Sequence, residues 1–140
     1  MNEVSVRYPS LELKDLAEVR SFVEEAATAV GGEQGTVSDL VLAVNEAVCN
    51  IITHGYGKRP GSVQIDVIQN EDDLEIRLRD QAPSFDPTSV STPDITVPLN
   101  ERKYGGMGVH MMRSLTDEMT YRVTADGWNE LILVKHNALQ

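Results

Sequence analysis

Residues 42–56, LAVNEAVCNIITHGY, constrain the fold more than any other stretch of this chain. Apolar side chains recur at Val41, Val44, Val48 and Ile52, with Leu40, Ala47 and Ile51 beside them. That spacing predicts a helix with a wide buried stripe. Glu46, Asn50 and His54 fall one turn apart, so they share a face next to the stripe. A carboxylate one turn before a carboxamide offers hard oxygens that suit Mg²⁺, which takes few protein ligands and keeps phosphate and water. The solvated edge of an amphipathic helix would show the same three residues.

The remaining elements fall around this helix. Val4, Val6 and Tyr8 alternate with polar residues and predict a strand over 3–9. From 14 to 30 the apolar positions Leu16, Val19, Phe22, Val23, Ala26, Ala27 and Val30 predict a one-faced helix stopped by Gly31-Gly32. Thr36 followed by Asp39 reads as a capping box opening the organising helix, which ends in the turn Gly55-Tyr56-Gly57. Val63, Ile65 and Val67 alternate, as do Leu74, Ile76 and Leu78, and the polar turn 70–73 joins them into an antiparallel hairpin. Residues 81–104 carry four prolines and no sustained periodicity, the pattern of a functional lid or a disordered loop. A short helix over 109–115 follows, then a strand at Met119, Tyr121 and Val123, the turn Asp126-Gly127 and a last strand over 128–135. The order predicts an α/β two-layer sandwich with the helices on one face of a mixed sheet.

Length and charge narrow the function. The chain of 140 residues is read as one domain able to bury a proper core, and its few aromatics leave that core to Val, Leu, Ile and Ala. Twelve basic against 22 acidic residues give a net charge of −10, which disfavours direct nucleic-acid binding and suits a basic patch on a protein partner. The lone Cys49 forms no internal disulfide and is expected as a small buried hydrophobe. No signal peptide and no apolar run of bilayer-spanning length is read, so no membrane role is expected and a bacterial-type cytoplasm fits. His54, His110 and His136 share no metal-ligand spacing.

Two further sites carry chemistry. Asp80 closes a strand whose inward residues are Leu74, Ile76 and Leu78. A carboxylate at the rim of an apolar pocket can accept a hydrogen bond from an exocyclic amine such as that of adenine, although Asp also caps turns before Pro. The run Gly105-Gly106-Met107-Gly108 opens a helix, where bare backbone N–H groups favour phosphate, and Arg102 and Lys103 add positive charge upstream. A flexible hinge would look similar.

Glu46-Ala-Val-Cys-Asn50-Ile-Ile-Thr-His54-Gly55-Tyr56 resembles the N box of the GHKL ATPase/kinase superfamily. Its His-Gly-Tyr ending resembles the anti-sigma factor serine/threonine kinases, the RsbW-like proteins of bacterial stress and sporulation responses. Asp80 stands where the first acidic residue of the G1 box would be, Gly105 to Gly108 match the G2 box, and Gly127-Trp128-Asn129 resembles the final-hairpin motif. The resemblance implies a Bergerat-type ATP site in a mostly antiparallel α/β sandwich, under a lid spanning about 81–108. By the same analogy Glu46 is the general base, Asn50 holds Mg²⁺ and Asp80 takes the adenine amino group. Ala82, Phe85, Arg102, Gly105, Gly106, Met107, Gly108, Val109 and Asn129 complete the implied nucleotide site. The implied function is phosphorylation of an anti-sigma factor antagonist, with transcription regulated by partner switching, a sigma factor as a further partner and a homodimer as the assembly. The alternative is a non-catalytic module that binds nucleotide and sequesters a regulatory protein. A detached ATP-binding domain of a sensor kinase fits less well, since no dimerisation helix pair with a phospho-accepting His is present.

One departure stands out. The G1 box usually reads Asp-x-Gly-x-Gly, and here it is Asp80-Gln-Ala82-Pro-Ser84. Ala82 and Ser84 carry β-carbons where the pattern has none, so strain and weakened nucleotide affinity are expected there.

Overall fold

The computed structural model describes residues 2–83, 86–89 and 106–140. Strands β1 (Asn2–Leu11), β2 (Gly61–Asn70), β3 (Asp73–Asp80), β4 (Glu118–Val123) and β5 (Asn129–Lys135) form one sheet in the order β1-β2-β3-β5-β4. All four pairings are antiparallel, so the sheet is not the mixed one expected. The last strand pairs with β3 and leaves β4 at the edge.

Strand alternation decides which face is covered. Val63, Ile65 and Val67 of β2 stand opposite Asp80, Leu78 and Ile76 of β3, and Leu131 and Leu133 of β5 continue the row. These apolar side chains are buried against helices α1 (Leu16–Ala29), α2 (Gln34–Asn50) and α3 (Gly106–Leu115). Val19 and Val23 of α1, Leu40, Val44 and Val48 of α2, and Val109 and Met112 of α3 complete the core. Asp80 ends the buried row, a carboxylate at the margin of an aliphatic core.

The organising helix departs from expectation at both ends. It begins at Gln34, and its cap is Glu33, whose carboxylate accepts hydrogen bonds from the N–H groups of Gly35 and Thr36, both at 3.0 Å. The Thr36–Asp39 pair therefore lies inside the helix, since Glu33 satisfies the free N–H groups of the first turn earlier in the chain. At the other end Ile51–Gly55 form a wider π turn continuous with α2. By length and apolar composition alone Gln34–Gly55 could cross a bilayer, which corrects the sequence reading. Its apolar side chains Val37, Leu40, Val44, Val48 and Ile52 are instead the centre of the protein core.

Smaller differences follow from packing. Cys49 is only half-buried, its Sγ 3.9 Å from the Thr53 hydroxyl. On the uncovered face of the sheet Glu130 is fully buried, accepting from Nε of Arg79 at 2.7 Å and Nε of Arg122 at 2.6 Å. Burial pushes its carboxyl up, but the two guanidinium hydrogen bonds outweigh this and hold it below the usual carboxylate range.

Candidate functional site

The site lies where α2, the end of β3 and the inner face of β4 and β5 meet. Ala47, Ile51, Met112 and Leu131 supply apolar walls, Asn50 stands on the α2 side, and Asp80 and Asn129 stand on the sheet side. Gly55, Ala82, Pro83, Pro87 and Tyr121 close the remaining rim. A flat apolar slot with a few convergent polar groups is the usual form of a small-ligand site.

Glu46 and Asn50 share one face of α2, as their spacing requires, and that face looks onto the first turn of α3. A Cβ placed on Gly108 would lie 3.0 Å from Oε2 of Glu46, 3.4 Å from Nδ2 of Asn50 and 3.7 Å from its Oδ1. Any side chain at position 108 would fill the gap between the two polar groups and the helix, so glycine keeps that gap open. Nδ2 of Asn50 is buried and has no hydrogen-bond partner among the described residues. An orphaned amide inside a protein is costly, and this one is a donor free to meet a water or a ligand. The carboxylate and the amide oxygen form the hard, oxygen-rich donor set that Mg²⁺ prefers, so the residues present fit that ion. His54, one turn on, is partly buried, and burial pushes its imidazole below the ordinary histidine range.

Asp80 is 7% exposed. Its Oδ1 accepts from the Ala82 N–H at 2.9 Å and from Nδ2 of Asn129 at 2.9 Å. Burial raises its pKa, while these two hydrogen bonds pull in the opposite direction without cancelling the rise. Asp80 thus does cap the turn that follows it, and it also lines the pocket. Tyr56 braces the same turn, accepting from the Gln81 N–H at 2.8 Å and donating to the Ser62 carbonyl at 2.6 Å.

The strain expected at Ala82 is not found. Ala82 is absent from the residues with positive φ, which are Lys58, Glu71 and Asn137 among non-glycines. Its side chain is buried and packs against the Cα of Gly55, where a Cβ would come within 2.9 Å of the Ala82 methyl. The missing side chain at Gly55 makes the room that a glycine at position 82 would otherwise provide.

Of the sequence-predicted residues, Glu46 and Asn50 come together at Gly108, Asp80, Ala82 and Asn129 are joined by hydrogen bonds, and Asn50 lines one pocket with those three. Val109 is fully buried and belongs to the core. Gly106 and Met107 open α3. Phe85, Arg102, Gly105 and Ser84 lie outside the described residues, as does most of the predicted lid. Sequence reasoning did not single out Tyr121, Met112, Leu131 or Ile51 for the site. Strand alternation could have placed Tyr121 and Leu131 on the inner face, since they stand opposite each other in the register.

Comparison with known proteins agrees with this architecture. The family model described as the histidine kinase-like ATPase domain matches residues 10–135. The chain belongs to that family. Among curated members, the serine/threonine-protein kinase BtrW of Bordetella bronchiseptica is 29% identical over 100 residues, covering 71% of this chain and 70% of its own. The serine-protein kinase RsbW of Bacillus cereus is 28% identical over 123 residues, covering 81% of this chain and 77% of its own. The crystal structure of the RsbU and RsbW domains of a Mycobacterium tuberculosis protein superposes with a TM-score of 0.64 over 97% of this chain, at 16% identity. This chain spans 32% of that one, and the likeness is one of fold.

Proposed function

We propose that this protein is an ATP-dependent serine/threonine protein kinase that phosphorylates an anti-sigma factor antagonist and regulates transcription by partner switching in the cytoplasm. One observation carries the reading: Glu46 and the orphaned amide of Asn50 face the Gly108 position, and Asn50 and buried Asp80 line one apolar pocket. That set of groups suits a ligand that carries both an amino-bearing base and phosphates. The relatives named serine-protein kinases support the same activity.

In this reading Asp80 accepts a hydrogen bond from the adenine amino group, and Ala47, Ile51, Met112 and Leu131 bury the ring faces. The N-terminus of α3, with Gly106 and Gly108, presents backbone N–H groups to the phosphates. Asn50 would hold Mg²⁺, which when bound neutralises charge on the transferring phosphoryl group. Glu46 takes the proton from the attacking serine or threonine hydroxyl of the partner. Phe85, Arg102, Gly105 and Met107 belong to the same nucleotide site, and a homodimer that also holds a sigma factor is the proposed assembly. Ala82 has no positive φ, which takes its share of the expected strain away from the case for a non-catalytic module; Ser84, the other departure, lies outside the described residues.

The test compares wild type with Glu46→Gln. The substitution is expected to keep ATP affinity and to slow phosphoryl transfer to the antagonist by about a hundredfold or more, the usual contribution of a positioned base. Unchanged transfer with unchanged binding removes Glu46 from the chemistry.

A further inference from the structure

We propose that Asn129, locked in place by the Ala82 carbonyl and the Tyr121 hydroxyl, selects the nucleobase by fixing Asp80 as a hydrogen-bond acceptor. The inference rests on the nucleotide-binding reading above and assigns Asn129 a different task from direct contact with the ligand.

The side-chain amide of Asn129 is buried and occupied at both ends. Its Nδ2 donates to Oδ1 of Asp80 at 2.9 Å and to the Ala82 carbonyl at 2.8 Å. Its Oδ1 accepts from the Tyr121 hydroxyl at 2.7 Å. Both hydrogens of the amide nitrogen are therefore spent on the protein.

The orientation of that amide follows from what its neighbours can do. A phenol both donates and accepts, so Tyr121 would satisfy the amide either way round. A carboxyl group accepts when ionised and donates when protonated, so Asp80 could also pair with either end. The Ala82 carbonyl has no such freedom, because it has no proton to give. Turning the amide over would set two oxygens against each other at 2.8 Å. Ala82 thus holds the nitrogen inward, and a nitrogen that donates to Oδ1 of Asp80 favours the ionised carboxylate over the protonated acid.

The consequence falls on the ligand. Asp80 lines the pocket, and with Oδ1 taken by Asn129 and the Ala82 N–H, its second oxygen is the acceptor that the ionised group has left for a ligand. An acceptor there attracts the exocyclic amine of a 6-aminopurine and repels the carbonyl of a 6-oxopurine. Without Asn129, the apolar surroundings of Asp80 favour its protonated form, which donates and so accommodates the 6-oxo group. Asn129 is a positioning residue: it acts on the base through Asp80.

The experiment measures calorimetric affinity for ATP and for inosine triphosphate, with Mg²⁺, on wild type, Asn129→Leu and Asn129→Asp. Wild type is expected to favour ATP by about 10- to 100-fold, the range for one hydrogen bond to a charged buried group. Asn129→Leu removes the lock at similar volume and is expected to lower that ratio at least fivefold, with inosine triphosphate binding kept or improved. Asn129→Asp keeps the shape, removes the amide donor and sets a second carboxyl beside Asp80, whose like charge opposes ionisation of Asp80, so the ratio is expected to fall there too. It also covers the case in which the leucine variant does not fold. Equal weakening of both nucleotides, with the ratio unchanged, makes Asn129 merely structural and overturns the inference. So does a wild type that binds both nucleotides equally, although the nucleotide site then stands. A wild type that binds neither sinks the proposed function and this inference with it.

Discussion

The contact between Gly55 and Ala82 predicts a strong coupling between two positions 27 apart in the chain. Adding a methyl at Gly55 would bring it within 2.9 Å of the Ala82 Cβ, and that carbon cannot rotate away because it is fixed to the backbone. Ordinary contact needs about 0.5–1 Å more, so the turn after Asp80 must shift, and overpacking of this kind costs about 1–3 kcal/mol. Gly55 does not have a positive φ, so alanine there also recovers about 0.4–1 kcal/mol of unfolded-state entropy. Ala82→Gly alone loses a buried methyl, about 0.8 kcal/mol, and gains backbone freedom in the unfolded chain, for a total of about 1–2 kcal/mol. Combining the two moves the methyl from one side of the contact to the other. The clash disappears, and the double variant should be no less stable than Ala82→Gly alone. The coupling energy is then about 1–3 kcal/mol in the favourable direction. Urea unfolding of the four proteins gives it directly. Additivity within about 0.5 kcal/mol, the usual scatter for independent sites, would show that the turn yields freely and that Gly55 does not make room for Ala82.

Two more outcomes follow from the titrating groups. Asp80 has a raised pKa from burial, so its ionised form costs stability; the cost is absent below the ordinary carboxylate pKa, near about 3.9, and grows as pH rises through the folded value. Asp80→Asn keeps an oxygen for the Ala82 and Asn129 donors, so urea midpoints should show it at least as stable as wild type at pH 7 while ATP binding is lost; a variant clearly less stable at pH 7 contradicts this. His136 is exposed, with Nδ1 3.0 Å from Asp73 and Nε2 2.8 Å from Glu118, and the Asp73 hydrogen bond leads in raising its pKa. Its stabilisation is therefore full below the ordinary imidazole pKa of about 6.5 and is lost as pH rises through the folded value, so the Tm gap between wild type and His136→Gln should be larger at pH 6 than at pH 9, and an equal gap refutes it.

How much of this was legible in the sequence depends on whether a feature is periodic. α2 was readable because Val44, Val48 and Ile52 repeat at helical spacing, and β2 and β3 because Val63 to Leu78 alternate around a polar turn. Both patterns are written by burial on a single face, which acts locally along the chain. The start of α2 was misplaced because glutamate is not a favoured N-cap, and nothing short-range announces that Glu33 reaches forward to Gly35 and Thr36. The pairing of β5 with β3 was not readable either. A hairpin predicts that β4 and β5 are neighbours, but it does not say which of them faces the rest of the sheet.

The site divides along the same line. Glu46 and Asn50 were visible because one helical turn separates them, and Gly108 because glycines before a helix carry a backbone meaning of their own. Asp80 was visible as a carboxylate at the end of an apolar strand. What surrounds Asp80 was not, because Asn129 reaches it only when β3 and β5 pair, and Tyr121 reaches Asn129 only when β4 and β5 pair. The expected strain at Ala82 shows why motif comparison alone misjudged that turn. A glycine in a motif can be required for its φ or for the space it leaves, and the sequence does not say which. Here φ is negative and the space is supplied across the contact by Gly55. In this chain, position 55 therefore has to stay small as long as position 82 carries its methyl.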